Sequence, residues 1–190
     1  KMTGATAAVL MKYMKTLGIT DRNGFCLTHN KENRNKDVFL MISGDFSGIQ
    51  KFIYHIRSEG AMRMLRGRSF YLDIALENIV DELLNALHLS RANLIYCSGG
   101  HFYILADNTK ETQDAVKDIA KKINQGLVKL FSGTLYLAIG CEPLCANDLM
   151  AESDTVHHKK NIFRSVSEKV SMAKLSRYGP DILTELFDEN

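Results

Sequence analysis

Asp45 stands in Ser43-Gly44-Asp45-Phe46-Ser47-Gly48, where an apolar run (38–43) gives way to the helical pattern Ile49-Gln50-Lys51-Phe52-Ile53-Tyr54. A carboxylate at the end of a strand fits two chemistries. It can cap the following helix by accepting bonds from its first free N–H groups. It can also hold a divalent metal beside a nucleotide, because Mg²⁺ favours carboxylate oxygens together with substrate phosphates. The metal reading needs a partner acid, since a two-metal in-line displacement requires convergent carboxylates. The nearest turn, Ser98-Gly99-Gly100-His101-Phe102, carries none, and Asp107 falls at the far end of the next apolar run. Read from residues alone, the chain holds at most half of a metal site.

Three further groups could do chemistry. Arg66 and Arg68 flank Gly67, and Ser69 is expected at the start of a helix; guanidiniums beside free helix N–H groups bind phosphate or a partner. The simpler reading is a solvated basic turn capped by Ser69. Gly99 and Gly100 let backbone approach a ligand closely, but a tight hairpin needs them too. His101 could contact a nucleotide or serve as a hydrogen-bonded surface residue. Cys141-x-x-x-Cys145 with His157 and His158 has the letters of a zinc site, yet adjacent histidines rarely reach one tetrahedral ion, so no metal is assigned.

The elements that must position these residues follow from periodicity. Ala8, Leu10, Met11, Met14 and Leu17 can share one helical face, with Gly18 as a stop. Residues 21–36 are polar and aperiodic and read as a loop. Leu72, Leu76, Ile79, Val80, Leu83, Leu84 and Leu87 mark a long amphipathic helix. Strands at 93–97 and 101–107 read as a hairpin around Ser98-Gly99-Gly100. Val116, Ile119, Ala120, Ile123, Leu127 and Leu130 give a second long helix ending before Gly133, and a strand over 134–143 closes the set. The order β-α-β-β-α-β predicts an α+β, ferredoxin-like sandwich, an antiparallel four-stranded sheet with its two long helices on one face and its first strand beside the hairpin, plus flanking helices. The expected division is a helix and loop (1–36), a core domain (37–148) and a helical extension (149–190).

Composition narrows the classes. A net charge of +2 over 190 residues gives no general affinity for nucleic acid, so any such contact must be local. The 45% hydrophobic content supports a sizeable core, and no apolar run approaches the roughly 20 residues a membrane span requires. The four cysteines are read as reduced thiols in the cytoplasm. A chain that opens already in helical periodicity is expected to be a piece of a longer protein.

"GDFSGIQKFIY", "LRGRSFYLD" and "SGGHFYIL", in this order and spacing, resemble the first palm domain of the large subunit of type III-A CRISPR effector complexes. The resemblance runs over nearly the whole chain. It implies a link from an HD nuclease domain at the "TAAVLMKYM" helix and an exit toward a linker domain at the final helix. It implies two facing palms that join ATP, with Mg or Mn, into cyclic oligoadenylates when target RNA is bound to the complex. The catalytic acid pair belongs to the second palm and DNA cleavage to the HD domain, so this chain alone is expected to be inactive. In that family a first palm shows "SGGH" without an acid. The implied partners are the second palm, the small subunits and guide RNA, and target RNA indirectly; no membrane is implied. Asp45, Ser47, Gly48, Ser98, Gly99, Gly100 and His101 are then expected to face a nucleotide, and Arg66, Arg68 and Ser69 to meet phosphate or a partner.

The competing expectation is a ferredoxin-like module that binds RNA, or a scaffold that binds nothing. An open sheet face with aromatics such as Tyr96, Phe102, Tyr103 and Tyr136 could stack on bases. Phe102 and Tyr103 must point to opposite faces, so only one of them could do so. Burial of that face under helices would exclude this reading.

Overall fold

The computed structural model describes residues 2–21, 25, 31–54, 60–149, 161–177 and 179. In chain order the helices are α1 (Met2–Thr16), α2 (Lys31–Arg34), α3 (Ile49–Tyr54), α4 (Ala61–Ala86), α5 (Lys110–Phe131), α6 (Ala146–Leu149) and α7 (Ile162–Leu175). The strands are β1 (Phe39–Ser47), β2 (Leu94–Ser98), β3 (His101–Asp107) and β4 (Tyr136–Leu144). They form one antiparallel sheet in the order β2-β3-β1-β4, so β1 is central and lies beside the hairpin, as expected. The 3₁₀ turn at Arg91–Asn93 leads into β2.

Alternation along β1 divides the core in two. Leu40, Ile42 and Phe46 face α4 and α5, where Leu72, Leu76, Val80, Leu83, Leu87 and Val116 complete the larger core. Ile119 and Ile123 pack against it partly buried, whereas Leu130, on the expected stripe, is exposed. Phe39 and Met41 face the other way, against α1 and α7 through Ala5, Val9, Met14 and Val166. Helices therefore cover both faces of the sheet.

The buried stripe of α1 differs from the periodicity reading. Ala5, Val9 and Met14 are buried, while Ala8, Met11 and Leu17 are exposed. The face is rotated because Lys12 must point inward. Its ammonium lies 2.7 Å from Asp107 Oδ1 and donates to the Leu87 carbonyl at 2.8 Å and to Thr112 Oγ1 at 3.2 Å. Thr109 and Thr112 hydroxyls donate to Asp107 Oδ2 at 2.7 and 2.8 Å. One ammonium thus ties α1, the end of α4 and the start of α5 to the end of β3.

Two glycines test this packing. A Cβ on Gly44 would lie 2.2 Å from the ring of fully buried Phe102, whereas one on Gly67, exposed inside α4, meets open space. Gly44→Ala is expected to destabilise by about 1–3 kcal/mol through overpacking. Gly67→Ala should stabilise by about 0.5–1 kcal/mol through helix propensity. Opposite shifts of the urea midpoints would confirm both environments.

Candidate functional site

Strand β1 runs four residues further than its apolar run, to Ser47, so Asp45 sits inside the strand rather than at a strand–helix turn. It pairs with His101 of β3 and Ala138 of β4. The helix-cap reading is thereby corrected: α3 begins at Ile49, and the Asp45 carboxylate accepts from the Lys174 ammonium of α7. The strand extends because β4 offers partners as far as Tyr136 opposite Ser47, and a paired backbone outweighs the turn preference of Gly44.

The hairpin tip closes against the same end. Gly99 (φ 64°) and Gly100 (φ 85°) both lie in the left-handed region, which a two-residue I′ turn requires. The Phe46 N–H donates to the Gly100 carbonyl at 2.9 Å. Asp45, Ser47, Gly48, Ser98, Gly99, Gly100 and His101 are therefore brought together at one end of the sheet. Two of the glycines serve packing. A Cβ on Gly100 would strike Ile49 at 2.3 Å, and one on Gly48 the Thr134 carbonyl at 2.0 Å. Gly99 is exposed, with open space where a Cβ would stand.

His101 belongs to the face that α7 covers. Its Nε2 lies 3.3 Å from Ser43 Oγ, and its ring meets the edge of Tyr103 at 4.5 Å. Burial pushes the imidazole below its usual range; Asp45 opposes the shift and Lys174 adds to it. The net shift favours the neutral form of the ring. Ser43, His101 and Asp45 have the composition of a nucleophile relay, but Ser43 is fully buried and no substrate could reach it. Its hydroxyl fixes the ring instead.

The metal requirement is not met within the described residues. Asp107 pairs with Phe39, at the opposite end of β1, about 20 Å away at strand spacing. The Asp45 carboxylate is already compensated by Lys174. Burial pushes the Cys141 thiol up to about 11 and raises Cys145, and His157 and His158 lie outside the described residues. No group of three metal-ligating side chains occurs among the described residues.

Arg66, Arg68 and Ser69 are not at a helix N-terminus. Helix α4 begins at Ala61 behind Gly60, so all three lie in its interior, where backbone N–H groups are committed to the helix. The correction has a local cause: Ala61, Met64, Leu65 and Arg66 are good helix formers that carry the helix upstream. Arg68 donates to the Phe52 carbonyl and lies 5.3 Å over the Phe52 ring, fastening α3 to α4. Arg66 is exposed.

The aromatics do not form an open stacking face. Phe102 is fully buried, Tyr103 packs 5.1 Å from Phe163 of α7, and the Tyr136 hydroxyl donates to the Ala173 carbonyl at 3.5 Å. Of these rings only Tyr96 is exposed. Cavities of about 980 and 450 Å³ lie between α1 and the α4–β2 turn and between α4 and α5, the second reaching Phe46 and Leu135 on the opposite face of the sheet from Asp45. Neither cavity is lined by Asp45, Ser47, Gly48, Ser98, Gly99, Gly100 or His101. No helix among the described residues is long and apolar enough to cross a membrane.

Sequence reasoning missed Lys174 because it is 129 residues from Asp45. A faint signal exists: Lys174 follows Val166 and Val170 at four-residue spacing, a charge on a buried stripe.

Comparison with known proteins places the fold in a family. Residues 38–189 match the family described as Csm1 subunit domain B. The chain is 40% identical over 194 residues to the subtype III-A CRISPR system single-strand-specific deoxyribonuclease Cas10/Csm1 of Mycobacterium tuberculosis, covering 98% of this chain and 24% of that protein. The Streptococcus thermophilus protein of the same description is 36% identical over 94% of the chain, again across 24% of its own length. The chain therefore spans about a quarter of these relatives. Among solved structures, an apo Csm1–Csm4 cassette superposes with a TM-score of 0.78 at 34% identity, covering 98% of this chain and 24% of that one. A Csm1–Csm4 cassette in complex with one ATP superposes with a TM-score of 0.68 at 36% identity, over 83% of this chain and 21% of that one.

Proposed function

Because the chain belongs to the Csm1 domain B family of type III-A CRISPR large subunits, we propose that it is the first palm of such a subunit and that the β1–hairpin end forms one wall of an ATP pocket. The other wall comes from a second palm of the same protein, and target RNA bound to the effector complex triggers cyclic oligoadenylate synthesis in antiviral defence. Residues 37–148 form the palm, 1–36 lead in from an HD domain, and 149–190 lead on to a linker domain. A Csm4-type subunit, small subunits and guide RNA are the partners, in the cytoplasm.

The observation that carries this reading is the convergence at one end of the sheet. Asp45 pairs with His101 across β1 and β3, the Phe46–Gly100 bond holds the end of β1 and the hairpin in register, and Gly99 at the exposed tip has open space where a Cβ would stand. In the pocket the hairpin backbone and Ser47 would orient the nucleotide, and His101 would donate or accept one hydrogen bond. Catalytic Mg or Mn would be held by the second palm, because the single compensated carboxylate here does not fit a two-metal site. One palm alone is expected to bind ATP weakly, since half of a shared pocket leaves the ligand in water.

The test uses full-length effector complexes bound to the same target RNA. Asp45→Ala and His101→Ala are each expected to lower oligoadenylate synthesis about tenfold or more, the size of losing one charged or well-placed contact. Single-stranded DNA cleavage by the same preparations should remain largely intact. Equal loss of both activities, or loss of neither, would contradict the reading.

A further inference from the structure

We infer that α7 is a strap that lifts from the sheet as a unit while the rest of the domain stays folded, and that its seating, passed through Phe163 and Tyr103, fixes the His101 ring. The first half stands on packing alone; the second rests on the proposed ATP wall.

The seat is Gly140. It lies in the middle of β4 and pairs with Ser43 of β1. A Cβ there would lie 2.6 Å from the Val170 nitrogen and 2.9 Å from Lys169 Cβ. The α7 backbone therefore rests directly on the strand, a close approach that only glycine allows.

The hold on that seat is thin. Val166 joins the second core fully buried, with Ile162 partly buried beside it, and Val170 fills the seat. Helix α4, by contrast, buries Leu72, Leu76, Ile79, Val80, Leu83 and Leu84. Met172 and Leu175 of α7 are 69% and 88% exposed and add nothing to the hold. Polar ties do the rest. Lys169 Nζ lies 3.7 Å from Oε2 of buried Glu142, Lys174 pairs with Asp45, and the Tyr136 hydroxyl donates to the Ala173 carbonyl. Both lysines are partly exposed, so water and salt weaken their pairs. An element held by few buried apolar contacts opens below the stability of the whole fold. A single helix of this length is not stable in water, so it lifts and frays together.

The strap reaches the rim through rings. Phe163, in the first turn of α7, meets Tyr103 edge-on at 5.1 Å, and Tyr103 meets His101 at 4.5 Å. His101 Nε2 lies 3.3 Å from Oγ of Ser43, the partner of Gly140 across the sheet. With α7 seated, the imidazole is held between Ser43 and a braced Tyr103. With α7 lifted, Tyr103 loses Phe163 and the imidazole loses its brace. A ligand that prefers the braced ring then tightens the strap by the same factor as seating tightens the ligand.

Hydrogen exchange, read by mass spectrometry, is measured on the full-length protein in its target-RNA-bound complex. After correction for intrinsic rates, α7 amides are expected to exchange about tenfold or more faster than residues 76–84 of α4. Gly140→Ala, whose Cβ meets helix backbone, should speed α7 about tenfold further and leave residues 76–84 unchanged. The same variant should lower oligoadenylate synthesis about tenfold while retaining single-stranded DNA cleavage. Phe163→Ala should lower synthesis without speeding α7, because it cuts the ring contacts and keeps the seat. Equal exchange of α7 and residues 76–84 in the unaltered protein would make α7 part of the cooperative core and overturn the strap. Equal acceleration of both in Gly140→Ala would do the same. Full synthesis by Gly140→Ala with α7 freed, while His101→Ala is impaired, would overturn the link to His101. Full synthesis by His101→Ala as well would overturn the ATP wall and the link with it, leaving the strap to stand or fall on exchange.

Discussion

Lys12→Met is expected to cost this fold about 3–5 kcal/mol at pH 7, the price of leaving a buried carboxylate without its cation. Asp107 is 0% exposed, and Lys12 supplies its only opposite charge among the described residues. Against a total stability of about 5–15 kcal/mol, that is enough to unfold a large share of the molecules. The pH dependence identifies the cause. Burial alone would push the Asp107 carboxyl up, but hydrogen bonds from Lys12, Thr109 and Thr112 and the Lys12 charge hold it below its ordinary value near 3.8. Its contribution in the unaltered chain is therefore present above that value and is lost as pH falls through the depressed folded pKa. In Lys12→Met the burial effect prevails and the folded pKa rises above 3.8. Protonation then stabilises that variant as pH falls, and the gap between the two proteins narrows. Urea denaturation at pH 7 and pH 4.5 reads this directly; an equal gap at both values would show that lost packing rather than lost charge explains the loss.

The isolated 190-residue chain should form no cyclic oligoadenylate from ATP with Mg²⁺ or Mn²⁺. In-line displacement at a two-metal centre needs convergent carboxylates, and this chain's rim offers one, already neutralised by Lys174. Losing the metal clamp removes several kcal/mol of transition-state stabilisation, which puts the rate at least about a thousandfold below that of the intact protein. Chromatography of a long incubation at saturating ATP is sufficient. Robust product from the pure chain would mean that a catalytic acid has been misassigned.

Most of the architecture was legible because one-dimensional periodicity records which face is buried. The leucines of α4, the β-branched and aromatic runs, and the paired glycines at 99 and 100 specify elements that local physics alone produces. Boundaries were less legible where pairing decides them. Asp45 looked like a cap because Gly44 and Gly48 are turn residues, yet β4 supplies partners that keep the backbone extended to Ser47. Ser69 is expected at a helix start, yet α4 begins at Ala61 and tolerates Gly67 in its interior. The site's ion pair was the least legible, since Asp45 and Lys174 are joined only by the packing of α7 on the sheet. Lys12 and Lys174 share a signature that could be sought: each stands on the apolar stripe of its helix, and each meets an acid of the sheet.

The central claim, that the β1–hairpin end lines an ATP pocket, is tested most directly by photo-crosslinking 8-azido-ATP to the full-length protein within its target-RNA-bound complex. Peptides are then mapped by mass spectrometry. The expected result is label within residues 43–52 and 96–103, competed by unlabelled ATP, alongside label in the second palm. Competable label confined to the second palm, or to other parts of this chain, would contradict it.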